Sequence, residues 1–557
     1  MKYFKQILFL LVVSFSIFSC SKKNKTGKWI PKDAIVVVEI NTKSLSSKLS
    51  WEDVKQTFWY QQLMADSAHA AKGKPYLEDP AKMGIDLSTN FIFFVEKPNT
   101  SGHFVVEGSV KDSKKLATFI TTMHPGVTVH KEGELNIASS DEALIGWNND
   151  RFVIVSGIPE SPMQKNMPGD SSTYNMPAKL ISIDSLLAAC KNIFTLKEEN
   201  SLAENERFGD LVNEKGDVHF WINNDQLYKS SMQKMPGAMG MVNLDKLLID
   251  NIGVATISFD DGKITAKNKW YTGKELSDIL KSGDGNFNTE MIKRNPVPNP
   301  AMVFAMHFNP ENFLGIIRLT GLDGFINLFL GQKGLSLEDV AKATKGDVFF
   351  SVSDVTVKKD STNNQKFNEL DSFNKFHVKP GGTFLFSVAV KDKNAFNKIV
   401  DLGKTFGKNM TPVNTFSKTD DTYYAFSNSQ DAVNNYFAGP ASKPAFIDKI
   451  SGHPMGAFID VQMILKSMQQ AVTADSASQA LYNLNIGMWN NIYSTGGEYK
   501  DGGLVYNTEV NLVDKSTNSL KQLNKLVDQM CKIKSTQKKK SWEDASKLLP
   551  PHSDTVR

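Results

Sequence analysis

One stretch of this chain is written twice. Residues 101–120 read SGHFVVEGSVKDSKKLATFI, and residues 381–400 read GGTFLFSVAVKDKNAFNKIV. Gly102, Phe104, Val110, Lys111 and Asp112 return as Gly382, Phe384, Val390, Lys391 and Asp392. In each copy an apolar, strand-like run leads to an Asp. A set of apolar residues at helical spacing follows, Leu116, Phe119 and Ile120 in one copy and Phe396, Ile399 and Val400 in the other. Other segments match in the same order. Phe220–Met232 resembles Ala457–Met468, and Asn251–Trp270 resembles Asn491–Val510. Preserved order over two copies implies a duplicated module and not a solenoid.

A second pattern runs through both copies. Apolar runs end in Asn or Asp and give way to short helical patterns, at Asn41, Asp112, Asp184, Asn223, Asn309, Asp392 and Asp460. Asn and Asp side chains accept hydrogen bonds from the free amides of a helix's first turn, worth about 1 kcal/mol each. The expectation is that these seven residues are helix N-caps rather than metal ligands or catalytic carboxylates. Thr272 with Glu275 has the spacing of a capping box ahead of another helix. Asn148–Asp150, Asp261-Gly262 and Asp501–Gly503 sit between strand-like runs and read as hairpin turns. Helices are expected after Ser50, with Trp51, Val54 and Phe58, and near the end, with Leu520, Leu523, Val527 and Met530.

These signals define an α+β fold class: two tandem related domains, each an antiparallel or mixed sheet packed against helices. A chain of 557 residues is long enough for at least two cores. The expected organisation is a leader over 1–19, a tether over 20–28 and a first domain over 29–281. A linker over 282–296, with Gly, Asn and Pro, precedes a second domain over 297–534 and a basic, Pro-containing tail over 535–557.

The leader has Lys2 and Lys5, an apolar run from Ile7 to Phe18, then Ser19-Cys20. That is the pattern of a secretory signal, and the run is shorter than the roughly 20 residues of a membrane span. A Cys directly after the small residue resembles a bacterial lipobox, in which Cys20 would receive lipid. Of the other cysteines, Cys190 and Cys531 lie in apolar helical contexts without ligand spacing. They read as two core thiols or as one long-range disulfide.

No catalytic motif is present: no Gly-x-Ser-x-Gly elbow, no phosphate-binding Gly-Lys-Ser/Thr loop, no His-Glu-x-x-His helix. No cofactor and no metal site are expected. His124 and His130 flank a Pro-Gly turn, and 284–290 alternates oxygen-bearing residues, but neither is a complete ligand set. A net charge of +4 over this length argues against nucleic acid as a partner. Met232–Met241 is rich in Met and Gly and reads as a packed loop or an adaptable surface. Phe58-Trp59-Tyr60 cannot share one helix face, so one or two of them must lie exposed, as a partner-binding patch, or pack on a neighbouring domain.

The lipobox, the Ile30-Pro-Lys-Asp-Ala-Ile-Val-Val opening and the duplicated strand–Asp–helix design together resemble a family of Bacteroidetes envelope lipoproteins. That family is catalogued as domain of unknown function 4836. The resemblance implies an α+β fold and a lipid anchor at Cys20 in the outer membrane. Surface-exported lipoproteins of this group carry acidic residues after the Cys; here SKKNKTGK follows, which implies a periplasm-facing protein. The expected role is non-enzymatic binding or scaffolding with an envelope protein or glycan partner. An envelope glycan or peptide hydrolase with a site between the halves is one alternative, and a periplasmic chaperone is another.

Overall fold

The computed structural model describes residues 26–65, 68–96, 102–140, 142–158, 181–231, 243–283, 285–332, 334–359, 378–407, 415–441, 443–469, 472 and 476–547. Cys20, Asp284 and the Met232–Met241 loop lie outside the described residues.

The first half runs β1 (Val36–Ile40), α1 (Thr42–Lys48), α2 (Trp51–Lys55), α3 (Phe58–Ala65), β2 (Phe91–Glu96), β3 (Gly102–Ser109) and α4 (Ser113–Met123). It continues β4 (His130–Glu132), β5 (Leu135–Ser139), β6 (Ala143–Trp147), β7 (Arg151–Ile158), α5 (Ile183–Phe194) and α6 (Glu206–Asn213). It closes with β8 (Val218–Asn223), α7 (Asn224–Ser231), β9 (Ile252–Asp260), β10 (Lys263–Tyr271) and α8 (Lys274–Leu280). The second half runs β11 (Met302–His307), α9 (Pro310–Leu319), α10 (Asp323–Gly331), α11 (Leu337–Ala343), β12 (Thr344–Lys359), β13 (Val378–Val390) and α12 (Lys393–Gly407). Then come β14 (Phe416–Thr419), β15 (Tyr423–Ser427), α13 (Gln430–Ala438), β16 (Met455–Asp460), α14 (Val461–Ser467), α15 (Ser476–Met488), β17 (Trp489–Lys500), β18 (Gly503–Leu512) and α16 (Ser519–Lys547).

The fold is α+β with antiparallel strand pairing, and the pairing repeats with the sequence. In the first half β2 lies between β1 and β3, β3 pairs with β7, β7 with β6, β1 with β8, and β9 with β10. In the second half β12 lies between β11 and β13, β13 pairs with β15, β15 with β14, β11 with β16, and β17 with β18. The twice-written stretch occupies β3–α4 and β13–α12. At its Lys-Asp pair the backbone contacts also recur. Lys111 and Asp112 both donate to Gly84 O, at 2.8 and 3.0 Å, and Lys391 and Asp392 both donate to Ala343 O, at 2.9 and 3.3 Å. Gly84 has φ +77°, and a Cβ there would meet Asp112 O at 2.4 Å. Only glycine allows this carbonyl to approach so closely.

By contacts the chain divides into two compact units, one of residues 1–40 and 81–221, the other of residues 41–80 and 222–557. These limits differ from the expected 29–281 and 297–534. The segment expected to be a linker, 282–296, is packed: it carries a short helix, Thr289–Lys293, and buries Phe287, Met291 and Ile292. Residues flanked by Gly and Pro read as solvated, but these three apolar side chains join the core formed by Phe349, Tyr436 and Phe458.

In the second unit β10 pairs with β18, its own repeat counterpart, over nine residue pairs. Aligning Asn251–Trp270 with Asn491–Val510 makes Lys267 the counterpart of Asn507, and these two residues face each other at the centre of the pairing. The two copies therefore meet across a local pseudo-dyad. In the same unit the Asp528 carboxylate on α16 accepts the amides of Phe58 and of Trp59, the latter at 3.3 Å. Trp59 Nε1 donates to Asn524 Oδ1 at 3.1 Å and Tyr60 is buried, so this aromatic triplet is used in packing α3 against α16. The helix after Ser50 is interrupted at Gln56-Thr57, and Ser50 with Asp53 forms a capping box at its start. Helix α16 continues to Lys547, beyond residue 534, where a tail was expected.

Candidate functional site

The helix-end residues can be placed individually. Asn41 accepts from Ser44 N at 3.0 Å, Asp112 from Lys114 N and Lys115 N at 3.0 Å, and Asn223 from Gln226 N at 3.1 Å. Asn309 accepts from Glu311 N at 2.9 Å, Asp392 from Asn394 N and Ala395 N at 2.9 and 3.0 Å, and Asp460 from Met463 N at 2.8 Å. The backbone donors hold the Asp112 carboxyl below the usual aspartate range, the Lys115 amide having the largest effect. Asp184 departs from the expectation. It lies inside the first turn of α5, and the cap is Ser182, whose Oγ accepts from Ser185 N at 3.3 Å. Ile183, directly before Asp184, starts the helix instead of ending a strand. Thr272 and Glu275 form no capping box either: Gly273 is the cap residue, and Thr272 Oγ1 lies 3.0 Å from Ser277 Oγ.

Among the described residues no group of three or more His, Cys, Asp or Glu is placed to hold a metal. Cys190 and Cys531 are free thiols, which removes the long-range disulfide, and burial pushes the Cys190 thiol up to about 12.

The polar chemistry sits elsewhere, at residues the sequence reading did not single out. In the first unit a row of side chains crosses the sheet, with Glu39 opposite Ile92, Ile92 opposite Glu107 and Glu107 opposite Val153. Arg151 lies two positions from Val153 along β7 and so shares that face, and Asn90 directly precedes β2. Together with Trp29 and Ser109 these residues line a cavity of about 250 Å³. Glu39 is held on both oxygens: Asn90 Nδ2 donates to Oε1 at 2.6 Å, and His219 Nδ1 lies 2.9 Å from Oε2. Burial opposes the charge on His219, but the hydrogen bond and charge of Glu39 outweigh it and raise the imidazole above its ordinary value.

Glu107 and Arg151 are less well provided for. Their closest approach is 3.9 Å, Oε2 to Nη1, and neither of those two atoms has a hydrogen-bond partner. Both residues are over nine-tenths buried, with relative exposures of 7% and 9%. Burial raises the Glu107 carboxyl to about 7, the charge of Arg151 offsetting only part of that, and burial lowers Arg151 to about 10. Arg151 is held rigidly all the same. Its guanidinium lies 3.6 Å from the Trp29 ring centroid and 4.2 Å from that of Phe194, and Nη2 donates to Ile193 O at 3.1 Å.

The repeat shows that the frame does not require this polarity. The matching row in the second half is Ala305, Phe349, Ser387 and Ala425, and Tyr423 stands where Arg151 does. There the space is filled. Phe349 and Tyr436 are wholly buried, Ser387 Oγ donates to the Tyr436 hydroxyl at 2.8 Å, and Tyr423 packs edge-on to Tyr436. One frame thus holds an aromatic core in one copy and a cavity with two orphaned charged atoms in the other. Alternation alone could not reveal this, because Glu39 and Glu107 occupy inward positions of otherwise ordinary strands.

A repeated antiparallel α+β frame with a buried polar cavity in its first copy is the class these features define. Within that class the chain belongs to the family described as Domain of unknown function (DUF4836), whose model matches residues 27–427. No curated protein matches it. Two solved structures are similar, titled "Structure of crystal form III of TP0453" and "Structure of crystal form I of TP0453". The first is 11% identical with a TM-score of 0.26, over 44% of this chain and 79% of that one. The second is 10% identical with a TM-score of 0.24, over 45% and 80%. At such scores neither informs the fold or the site.

Proposed function

We propose that this is a lipid-anchored cell-envelope protein with a non-enzymatic binding role, and that the cavity around Glu107 and Arg151 is its binding site. The observation that carries the reading is the contrast between copies, since a buried acid and base with unpaired atoms replace a packed aromatic core. Unsatisfied buried polar groups destabilise a fold by about 1–3 kcal/mol each, more when charged. A site that retains two is suited to a ligand that completes them. A hydroxyl both donates and accepts, so one hydroxyl between the two atoms meets both needs. A carboxylate would satisfy Arg151 but oppose an ionised Glu107, and an ammonium group would do the reverse. The ligand class is therefore a small, uncharged, polyhydroxylated molecule such as a monosaccharide unit of an envelope glycan. The cavity exceeds the roughly 30 Å³ share of a single water.

The envelope address rests on the leader and the Cys20 lipobox, with the chain facing the periplasm. Thermal unfolding with a panel of free monosaccharides, and with amino acids as the charged comparison, tests the site. Stabilisation by a sugar that is lost in Glu107→Gln and Arg151→Met supports it; no shift with any sugar, or a shift unchanged in both variants, overturns it. Cys20→Ser should move the protein from the membrane to the soluble fraction. One observation favours the second reading, a glycan hydrolase: Glu107, with its carboxyl near 7, has the protonation of a general acid. Turnover of an envelope glycan, abolished by Glu107→Gln, would establish that reading in place of binding.

A further inference from the structure

The second unit has a helix that is apolar on both sides. Along α10, Leu322, Ile326 and Leu330 face the core, where they meet Leu314, Leu335 and Leu337. Phe325, Leu328 and Phe329, at i, i+3 and i+4, form the opposite face, with exposures of 68%, 72% and 42%. A solvated helix normally turns charged residues outward, yet residues 324–332 contain none. The helix is fixed in this pose: Leu337 N donates to Asn327 Oδ1 at 2.8 Å, and the path from α9 to α10 bends by 113°, a sharp elbow. Phe313 on α9 is a further exposed aromatic, at 46%. No single helix among the described residues is long and apolar enough to cross a membrane.

We infer that the α9–α10 elbow is a lipid-contacting surface that inserts Phe325, Leu328 and Phe329 into the head-group boundary of a bilayer. The lipid occupant is argued from the leader, so the inference rests in part on the anchored reading above. Cys20 stands six residues before Thr26, a reach of at most about 20 Å, so acylation would hold the first unit at a membrane surface and keep the second, through the continuous chain, near one. An uncharged Phe/Leu face matches acyl chains better than a protein interface, which carries about one hydrogen bond per 100–200 Å². Helices that lie in the interface bury such a face about 5–10 Å deep. The acyl chains supply attachment, and the elbow fixes the orientation of its unit at the surface.

The test uses the chain from residue 20 with Cys20→Ser, which carries no lipid, and vesicles of phosphatidylethanolamine and phosphatidylglycerol. The unacylated chain should float with the vesicles. F325S/L328S should lower its partition on the order of tenfold or more while leaving the urea midpoint unchanged. L328W, alone in an otherwise native surface, should add emission that shifts to the blue and is quenched by brominated lipid. Equal flotation of parent and double variant, or no flotation of the parent, overturns the inference. So does a concentration-dependent dimer that F325S/L328S abolishes, because the face then belongs to a second copy. Metabolic acylation of Cys20 is read separately, so the anchor and the elbow can fail independently.

Discussion

The sharpest test of the cavity is Glu107→Gln, read as stability against pH. Glu107 ionises at about 7 in the folded chain, against an ordinary 4.5. At about 1.4 kcal/mol per unit, ionised Glu107 costs the fold about 3 kcal/mol. The folded state holds this proton more tightly than the unfolded state. The group's stabilising contribution is therefore complete below pH 4.5 and is lost as pH rises through 7. Gln keeps the shape and is neutral throughout, so the variant should match the parent near pH 4 and exceed it by up to about 3 kcal/mol at pH 8. Urea unfolding with pulsed hydrogen exchange on peptides of β3 and β7 reports this unit alone. Two forces compete here, burial and the attraction of Arg151 at 3.9 Å. A variant less stable than the parent at pH 8 would show that the attraction wins, and a gap independent of pH would show that Glu107 does not titrate in this range. Either result refutes the reasoning.

Other expectations follow from the geometry. Asp112→Ala and Asp392→Ala should each cost about 1 kcal/mol, and Ser182→Ala about as much, whereas Asp184→Ala should stay within about 0.5 kcal/mol; chemical denaturation of the four variants checks the ranking. Gly84→Ala should cost more than about 2 kcal/mol, because it combines a left-handed φ with a backbone clash; a melting temperature unchanged from the parent would contradict this. In the Cys20→Ser chain, Cys190 should react with a thiol reagent only on unfolding, since it is fully buried with its thiol raised to about 12, while the partly exposed Cys531 reacts first.

The frame was legible in the sequence because its signals are local. A strand that ends in Asp before a helix declares itself in about 20 residues, and the second copy repeats it. The places where reading failed are those where a local signal had two meanings. Leu180–Ile183 is apolar enough for a strand, but Ser182 captures the first helical amide and the helix begins early. The Gly- and Pro-containing stretch before residue 297 looks solvated until Phe287 and Met291 find a core that depends on β12 and β15, far along the chain. The cavity was invisible for a third reason. Nothing within β1, β3 or β7 indicates that Glu39, Glu107 and Arg151 converge; their meeting depends on register across four strands, β1, β2, β3 and β7. A signal did exist in the repeat itself: aligned on Gly102 and Gly382, Glu107 falls against Ser387. The change from a small residue to an acid at an inward position marks where the copies diverge.

The facing of Lys267 and Asn507 bears on ancestry. A gene encoding one module would have left the nine-residue strand β10 open along one side, with a second molecule as its natural complement in the same register. The single-module ancestor would have been a homodimer with two identical interiors. Within one polypeptide the two interiors need not be identical, and here one holds packed rings while the other holds a polar cavity.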